Sequence, residues 1–397
     1  MRNSRSFMRL SLMCLVLVFA SCNTKVSQVQ KEKSVVESSS DSLAQMKILP
    51  YDTVFTGFAK FIACMELDPI LFRNTSTRFA SELKRKFSGM VNYSGEKWDR
   101  LQSRVGNPIG SWVAKQSYSS EKEPNVLLYP FAGGDFYYGH LFNPHQDTII
   151  MLGLEAPGTL FRLSEFETDT IAAYLSGLEK SMFFPHQLGF FRTKSMADDF
   201  KTTLLNGTIH TALYYMGRMG YEIHYVKGID IGETLDMNVE LTNKCEGVRV
   251  GYSKAGESDP IREWIYISQD ISDGGLKTKK GQMVQQYIES KGSVVSFFKA
   301  ASYLMHQNYF STIRQICLKQ SKRILQDDSG IPFAVLKKEG FRVELLGEYH
   351  RTIPLFSMFL QEDLKESYAN KNPKNLPFNI GYNATFHECN LQLATRP

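Results

Sequence analysis

The stretch from Asn125 to Gly158, NVLLYPFAGGDFYYGHLFNPHQDTIIMLGLEAPG, constrains this chain more than any other part of it. Two apolar runs flank a glycine pair, an aspartate and two histidines. Val126, Leu127, Leu128 and Phe131 read as a strand, Gly133 and Gly134 as a tight turn, and Asp135 as the cap of a short helix ending at Phe142. Thr148 to Leu154 read as a second strand. A β-α-β unit is the expected result, and a β-α-β unit implies parallel strands with helices against them.

The chain begins with a segment that the fold does not need. Arg2, Arg5 and Arg9 precede an apolar run from Leu10 to Ala20 with no acid among them, the layout of a secretory signal peptide over residues 1–21. That run is too short to span a bilayer as a mature anchor. Phe19-Ala20-Ser21-Cys22 resembles the lipobox of bacterial lipoproteins. The resemblance implies that Cys22 is lipidated and becomes the mature N-terminus, so that the membrane is a partner through acyl chains worth about 0.8 kcal/mol per buried methylene. It also implies a cell-envelope location. Asn23 lacks the acidic side chain that retains some lipoproteins at the inner membrane, which favours the outer membrane.

Three of the 46 lysines and arginines leave with the signal and none of the 41 acids, so the net charge of +5 falls to +2 in the mature chain. A near-neutral balance carries no electrostatic footprint for nucleic acid. Residues 22–45 are rich in Ser, Lys, Glu and Gln, with no aromatic, glycine or proline. Such a stretch cannot bury enough apolar surface to order itself. It reads as a flexible tether spanning roughly 25 to 30 Å.

From Met46 to the end the composition is that of a folded region, 46–397, with room for one large domain or two closely packed halves. Helical spacing recurs in Phe55 to Met65, in Phe79, Leu83 and Phe87, and from Glu96 through Trp98 and Leu101 to a stop near Gly106 and Pro108. Ser164 and Glu167 stand in capping-box spacing before Ile171 and Leu175, and Met196 to Leu205 and Thr208 to Met219 are again helical in pattern. Four short runs then suggest an antiparallel meander: Tyr221 to Ile231, Leu235 to Leu241, Val248 to Ser253 and Glu263 to Ser268. Helical spacing is expected to return in Phe297 to Met305 and in Ile313, Ile316, Cys317 and Ile324. A strand over Phe341 to Leu346 and a helix over Phe359 to Tyr368 follow. Blocks of both kinds alternate, so the fold class is α+β or α/β.

The chemistry of the chain gives candidates without a reaction. Gly133-Gly134-Asp135 matches no phosphate-loop pattern, and Asp135 would repel an anion at that turn. Asp135 and His140 are five residues apart and so diverge on a helix, Pro144 ends that helix before His145, and no H-E-x-x-H occurs. No metal or other cofactor is therefore expected. No serine-hydrolase elbow occurs either; Gly251 to Ala255 lacks its last glycine. Glu155 closes the second strand, where open α/β sheets place ligands. Asp327 and Asp328, in the run Gln326 to Pro332, are paired carboxylates able to act as acid and base, or to form an ordinary turn. The candidate pocket residues are thus Asp135, Glu155, Asp327, Asp328 and His140. Four cysteines remain in the mature chain beyond Cys22, namely Cys64, Cys245, Cys317 and Cys389, without C-x-x-C spacing. They can be buried thiols or form disulfides in any of three pairings.

Tyr129-Pro130-Phe131, Gly134-Asp135-Phe136, Gly153-Leu154-Glu155, Lys299 to Leu304 and Gln326 to Pro332 resemble blocks shared by a family of uncharacterised bacterial envelope proteins. The resemblance implies no activity; it implies that these blocks belong to one cooperative unit. Three functions fit: a lipid-anchored module that binds a ligand or an envelope protein, an envelope hydrolase using clustered carboxylates, and a structural subunit of an envelope assembly.

Overall fold

A computed structural model describes residues 52–72, 75–116, 123–191, 202, 204–256, 261–384 and 388–396. The signal segment, Cys22, the tether and most of the helix expected at Met196 to Leu205 lie outside the described residues.

The opening stretch folds as its pattern predicts. Strand β1 is Val126–Pro130, a short helix follows at Phe136–Phe142, and β2 is Thr148–Gly153, parallel to β1 with Leu128 beside Ile150. Strands β3 to β6 are Tyr221–Ile231, Leu235–Val239, Gly247–Lys254 and Arg262–Ser268; β7 is Val294–Phe298, β8 Ser321–Gln326, β9 Arg342–Gly347 and β10 Asn390–Thr395. All ten join one sheet in the order β4-β3-β5-β6-β2-β1-β7-β8-β10-β9. The five central strands, β6-β2-β1-β7-β8, run parallel. Antiparallel strands extend them on both sides.

In chain order the α-helices are α1 Asp52–Ile62, α2 Thr77–Leu101, α3 Asn107–Val113, α4 Phe136–Phe142, α5 Thr168–Ser181, α6 Phe183–Leu188 and α7 Thr208–Arg218. They continue with α8 Asp273–Leu276, α9 Lys279–Glu289, α10 Ser311–Gln320, α11 Phe333–Lys338 and α12 Glu362–Lys371. Alternation along the strands divides the sheet into two apolar faces. Leu128, Ile150, Leu152, Ile265 and Ile324 face Val284 and Ile288 of α9, Ile313 and Ile316 of α10 and Leu336 of α11. On the other face Tyr129 and Phe297 meet edge to face at 4.9 Å, with Phe142 and Phe136 of α4 against Phe297 and Trp264. Gly139 lets α4 come this close, because a Cβ there would stand 3.1 Å from the Tyr129 ring. Helices on both faces of a mixed sheet with a parallel centre make this an α/β arrangement with antiparallel margins.

Several expectations need correction. Tyr221 to Ser268 is antiparallel throughout, but β5 pairs with β3 rather than with β4, so it is not a simple meander. Phe297 to Met305 is not a helix. Phe297 and Phe298 end the central strand β7, whose residues are buried on both sides, and such a strand shows no period of two. Ile324 likewise lies on β8, not on the helix of Ile313 and Ile316. The helix expected to stop near Gly106 continues through a π-helical turn, Gln102–Gly106, into α3, where Pro108 fits the first turn. Ser164 caps nothing: Glu167 occupies the N-cap of α5 and makes no side-chain cap bond. Strand β10 carries no expectation, although it separates β8 from β9.

Candidate functional site

Loops leaving β1 and β7 part company. The chain leaves β1 through α4 toward β2, and leaves β7 through α10 toward β8 on the opposite side. The carboxyl ends of β1 and β7 are therefore a topological switch point, where open α/β sheets form their ligand crevice. The loops there are Phe131 to Asp135 and Lys299 to Tyr303.

Asp135 holds the N-cap position of α4 but makes no side-chain cap bond, which corrects the cap expectation. Its Oδ2 instead lies 2.9 Å from Lys299 Nζ and accepts the Tyr129 hydroxyl proton at 2.6 Å. Lys299 also donates to the Gly189 carbonyl and lies 4.2 Å from the centre of the Tyr138 ring. Both partners of the pair are almost fully buried, 1% and 4% exposed at the side chain. Burial pushes the Asp135 carboxyl up, and Lys299 and Tyr129 pull it back. Among the described residues Asp135 Oδ1 has no hydrogen-bond partner.

From β8 comes the second half. Asp327 Oδ2 accepts from the Ala300 amide at 2.7 Å, while its Oδ1 takes the Ser329 amide at 3.0 Å and the Ser329 hydroxyl. Ser329 Oγ in turn accepts from Ala301 N at 2.7 Å. Asp328 accepts from the Tyr303 hydroxyl and from Asn390 Nδ2, the latter at 2.8 Å. Burial raises both carboxyls, and the charge of Asp327 helps to bring Asp328 to about 7. The two loops at this edge are strained: Phe131 after β1 and Ala300, Ser302 and Tyr303 after β7 all have φ between 50° and 60°. They are four of the six non-glycine residues with positive φ among those described, and such clusters collect at functional sites.

The other candidates lie apart from this network. Glu155 follows β2 at the same edge, where its Oε2 is 3.3 Å from the Tyr266 hydroxyl and burial raises its carboxyl. His140 is on α4 with its Nε2 2.6 Å from the Tyr221 hydroxyl, and burial lowers it to about 3. It lines a cavity of about 230 Å³ with Val113, Leu141, Pro144 and Met219. Arg262, the first residue of β6, bonds the Pro144 carbonyl, so that cavity belongs to the amino edge of the parallel strands. A second cavity, about 490 Å³, also opens at the amino edge, between Glu123, Pro124, Ser293 and Lys322. Neither is lined by Asp135, Glu155, Asp327 or Asp328. Among the described residues no group of three or more His, Cys, Asp or Glu could hold a metal. Cys64, Cys245, Cys317 and Cys389 are free and buried.

Lys299, the counter-charge of Asp135, was not among the sequence candidates. Its signal was present: it is a charged residue directly after the buried strand Val294–Phe298. Reading Val294 to Phe298 as a strand would have exposed it.

No family model, no curated protein and no solved structure matches this chain.

Proposed function

We propose that this protein is a lipid-anchored cell-envelope binding module, tethered through Cys22, that takes a small ligand at the carboxyl edge of its parallel strands, between β1 and β7. The observation that carries this reading is the Asp135–Lys299 pair, buried at a switch point and flanked by strained loops. A fold maintains buried charges and left-handed side-chain positions at a cost in stability, and ligand sites are where that cost recurs. The hydrolase alternative is favoured less, because Asp135, Asp327 and Asp328 are each under a tenth exposed and already bonded to protein groups. A structural subunit would present one broad apolar patch, whereas the observation behind the present reading is a buried charged pair.

No helix among the described residues is long and apolar enough to cross a membrane. Two measurements test the reading. Cys22→Ala should abolish fatty-acid labelling and release the protein from membranes; continued labelling removes the anchor. In a thermal-shift screen of small molecules, a hit should stabilise the native chain and not Asp135→Asn, provided that variant keeps its fold by circular dichroism. A hit that shifts both equally places the ligand elsewhere.

A further inference from the structure

We infer that the loop from Lys299 to Leu304 is a strap that holds the carboxyl edge shut while Asp327 and Asp328 retain a proton between them, and releases it once both are ionised. This rests on the reading that the ligand site lies at that edge and adds how access to it is controlled.

The strap is strained and pinned. Ala300, Ser302 and Tyr303 are left-handed at φ 50°, 52° and 54°, a conformation that side-chain-bearing residues leave when nothing holds them. Four side chains hold it. Asp327 takes the Ala300 amide, Ser329 the Ala301 amide and Asp328 the Tyr303 hydroxyl. Tyr382 takes the Ser302 amide at 3.0 Å and donates to the Ala300 carbonyl at 2.7 Å. Two of these four pins are adjacent buried aspartates.

Charge supplies the release. Asp135, Asp327 and Asp328 are three buried carboxylates, of which Asp135 is ion-paired with Lys299 among the described residues. Around Asp328 the other elements offer the Tyr303 hydroxyl from the strap and Asn390 from β10. The remaining titratable groups that sense it are Tyr349 beyond β9, Tyr368 on α12, Cys389 before β10, Tyr382, and His306 close to its backbone. None of these is a cation near neutral pH, since His306 is itself lowered to about 4. A second negative charge beside Asp327 thus meets the Tyr303 and Asn390 donors but no paired cation, and burial with the Asp327 charge brings Asp328 to about 7. Opening the strap lets water reach that charge and relaxes three strained residues together.

Hydrogen exchange on the full chain in mild detergent reads this without any ligand, so its outcome is separate from that of the binding screen. After correction for intrinsic rates, the Ala300, Ala301 and Ser302 amides should exchange at least about tenfold faster at about pH 8 than at about pH 5, with β7 unchanged. Asp328→Asn should keep the strap protected at both values. Tyr303→Phe, which removes one of the four pins, should let the strap amides exchange faster than in the native chain at about pH 5. Protection independent of pH in the native chain, or pH dependence that survives in Asp328→Asn, overturns the inference.

Discussion

Replacing Lys299 by methionine removes one charge of a pair whose side chains are 1% and 4% exposed. Nζ loses the 2.9 Å contact to Asp135, the bond to the Gly189 carbonyl and its place over the Tyr138 ring. Charge-assisted bonds contribute about 1.5–3 kcal/mol each, but breaking one side of a buried pair costs about 3–5 kcal/mol in all, since the losses are not additive. The variant should therefore lose about 4 kcal/mol at neutral pH by this range. Its pH dependence gives the cause. The folded Asp135 carboxyl is raised by burial and held down by Lys299, so without the lysine it rises further. A raised acid contributes fully below its unfolded value of 3.8, and its contribution falls as pH climbs toward the folded value. Lys299→Met should thus lose stability relative to the native chain at about 1.4 kcal/mol per pH unit in the window where only its own Asp135 is still protonated. Urea unfolding at acid and neutral pH measures both quantities. Lys299→Met with Asp135→Asn should recover at least about 2 kcal/mol, because Asp135 is then no longer a buried charge without its partner. A single variant that loses less than about 1 kcal/mol at neutral pH, or a double variant no better than the single, would refute the reasoning.

Two further outcomes follow from the packing. Burial pushes the Cys64, Cys317 and Cys389 thiols up to about 12, so none of the three should react with a thiol reagent in the native chain at neutral pH. All should react in denaturant without reductant, and a thiol that stays blocked there would show a disulfide. At the start of α7, a Cβ on Gly207 would stand 2.3 Å from Gly158 N and 2.5 Å from the Ala156 carbonyl. Gly207→Ala must push two backbones apart and should cost at least about 2 kcal/mol in urea unfolding; a loss under about 0.5 kcal/mol would show that this contact yields freely.

Local pattern was enough wherever an element carried its own signal. The glycine pair between two apolar runs predicted β1, α4 and β2, and β3 to β6 followed from alternation and polar breaks, because half-covered strands display their faces in sequence. Strands covered on both faces do not. Val294 to Phe298 is buried on either side and its helical spacing runs on into the residues after it, while β10 is buried along nearly its whole length and shows no period of two. The site divides in the same way. That Asp135, Glu155, Asp327 and Asp328 follow apolar runs is visible in the chain. That Asp135 pairs with Lys299 and not with the start of its own helix is a property of the assembled sheet, which sets β7 beside β1 across more than 160 residues of sequence. Sequence by itself determined β1 and β2, with Asp135 and Glu155 beyond their ends, but gave helical spacing to Ile324 of β8, the strand that carries Asp327 and Asp328. Only the tertiary structure decided which of those ends share a buried charge, because that depends on strand order, and strand order is fixed by packing between segments that no local pattern connects.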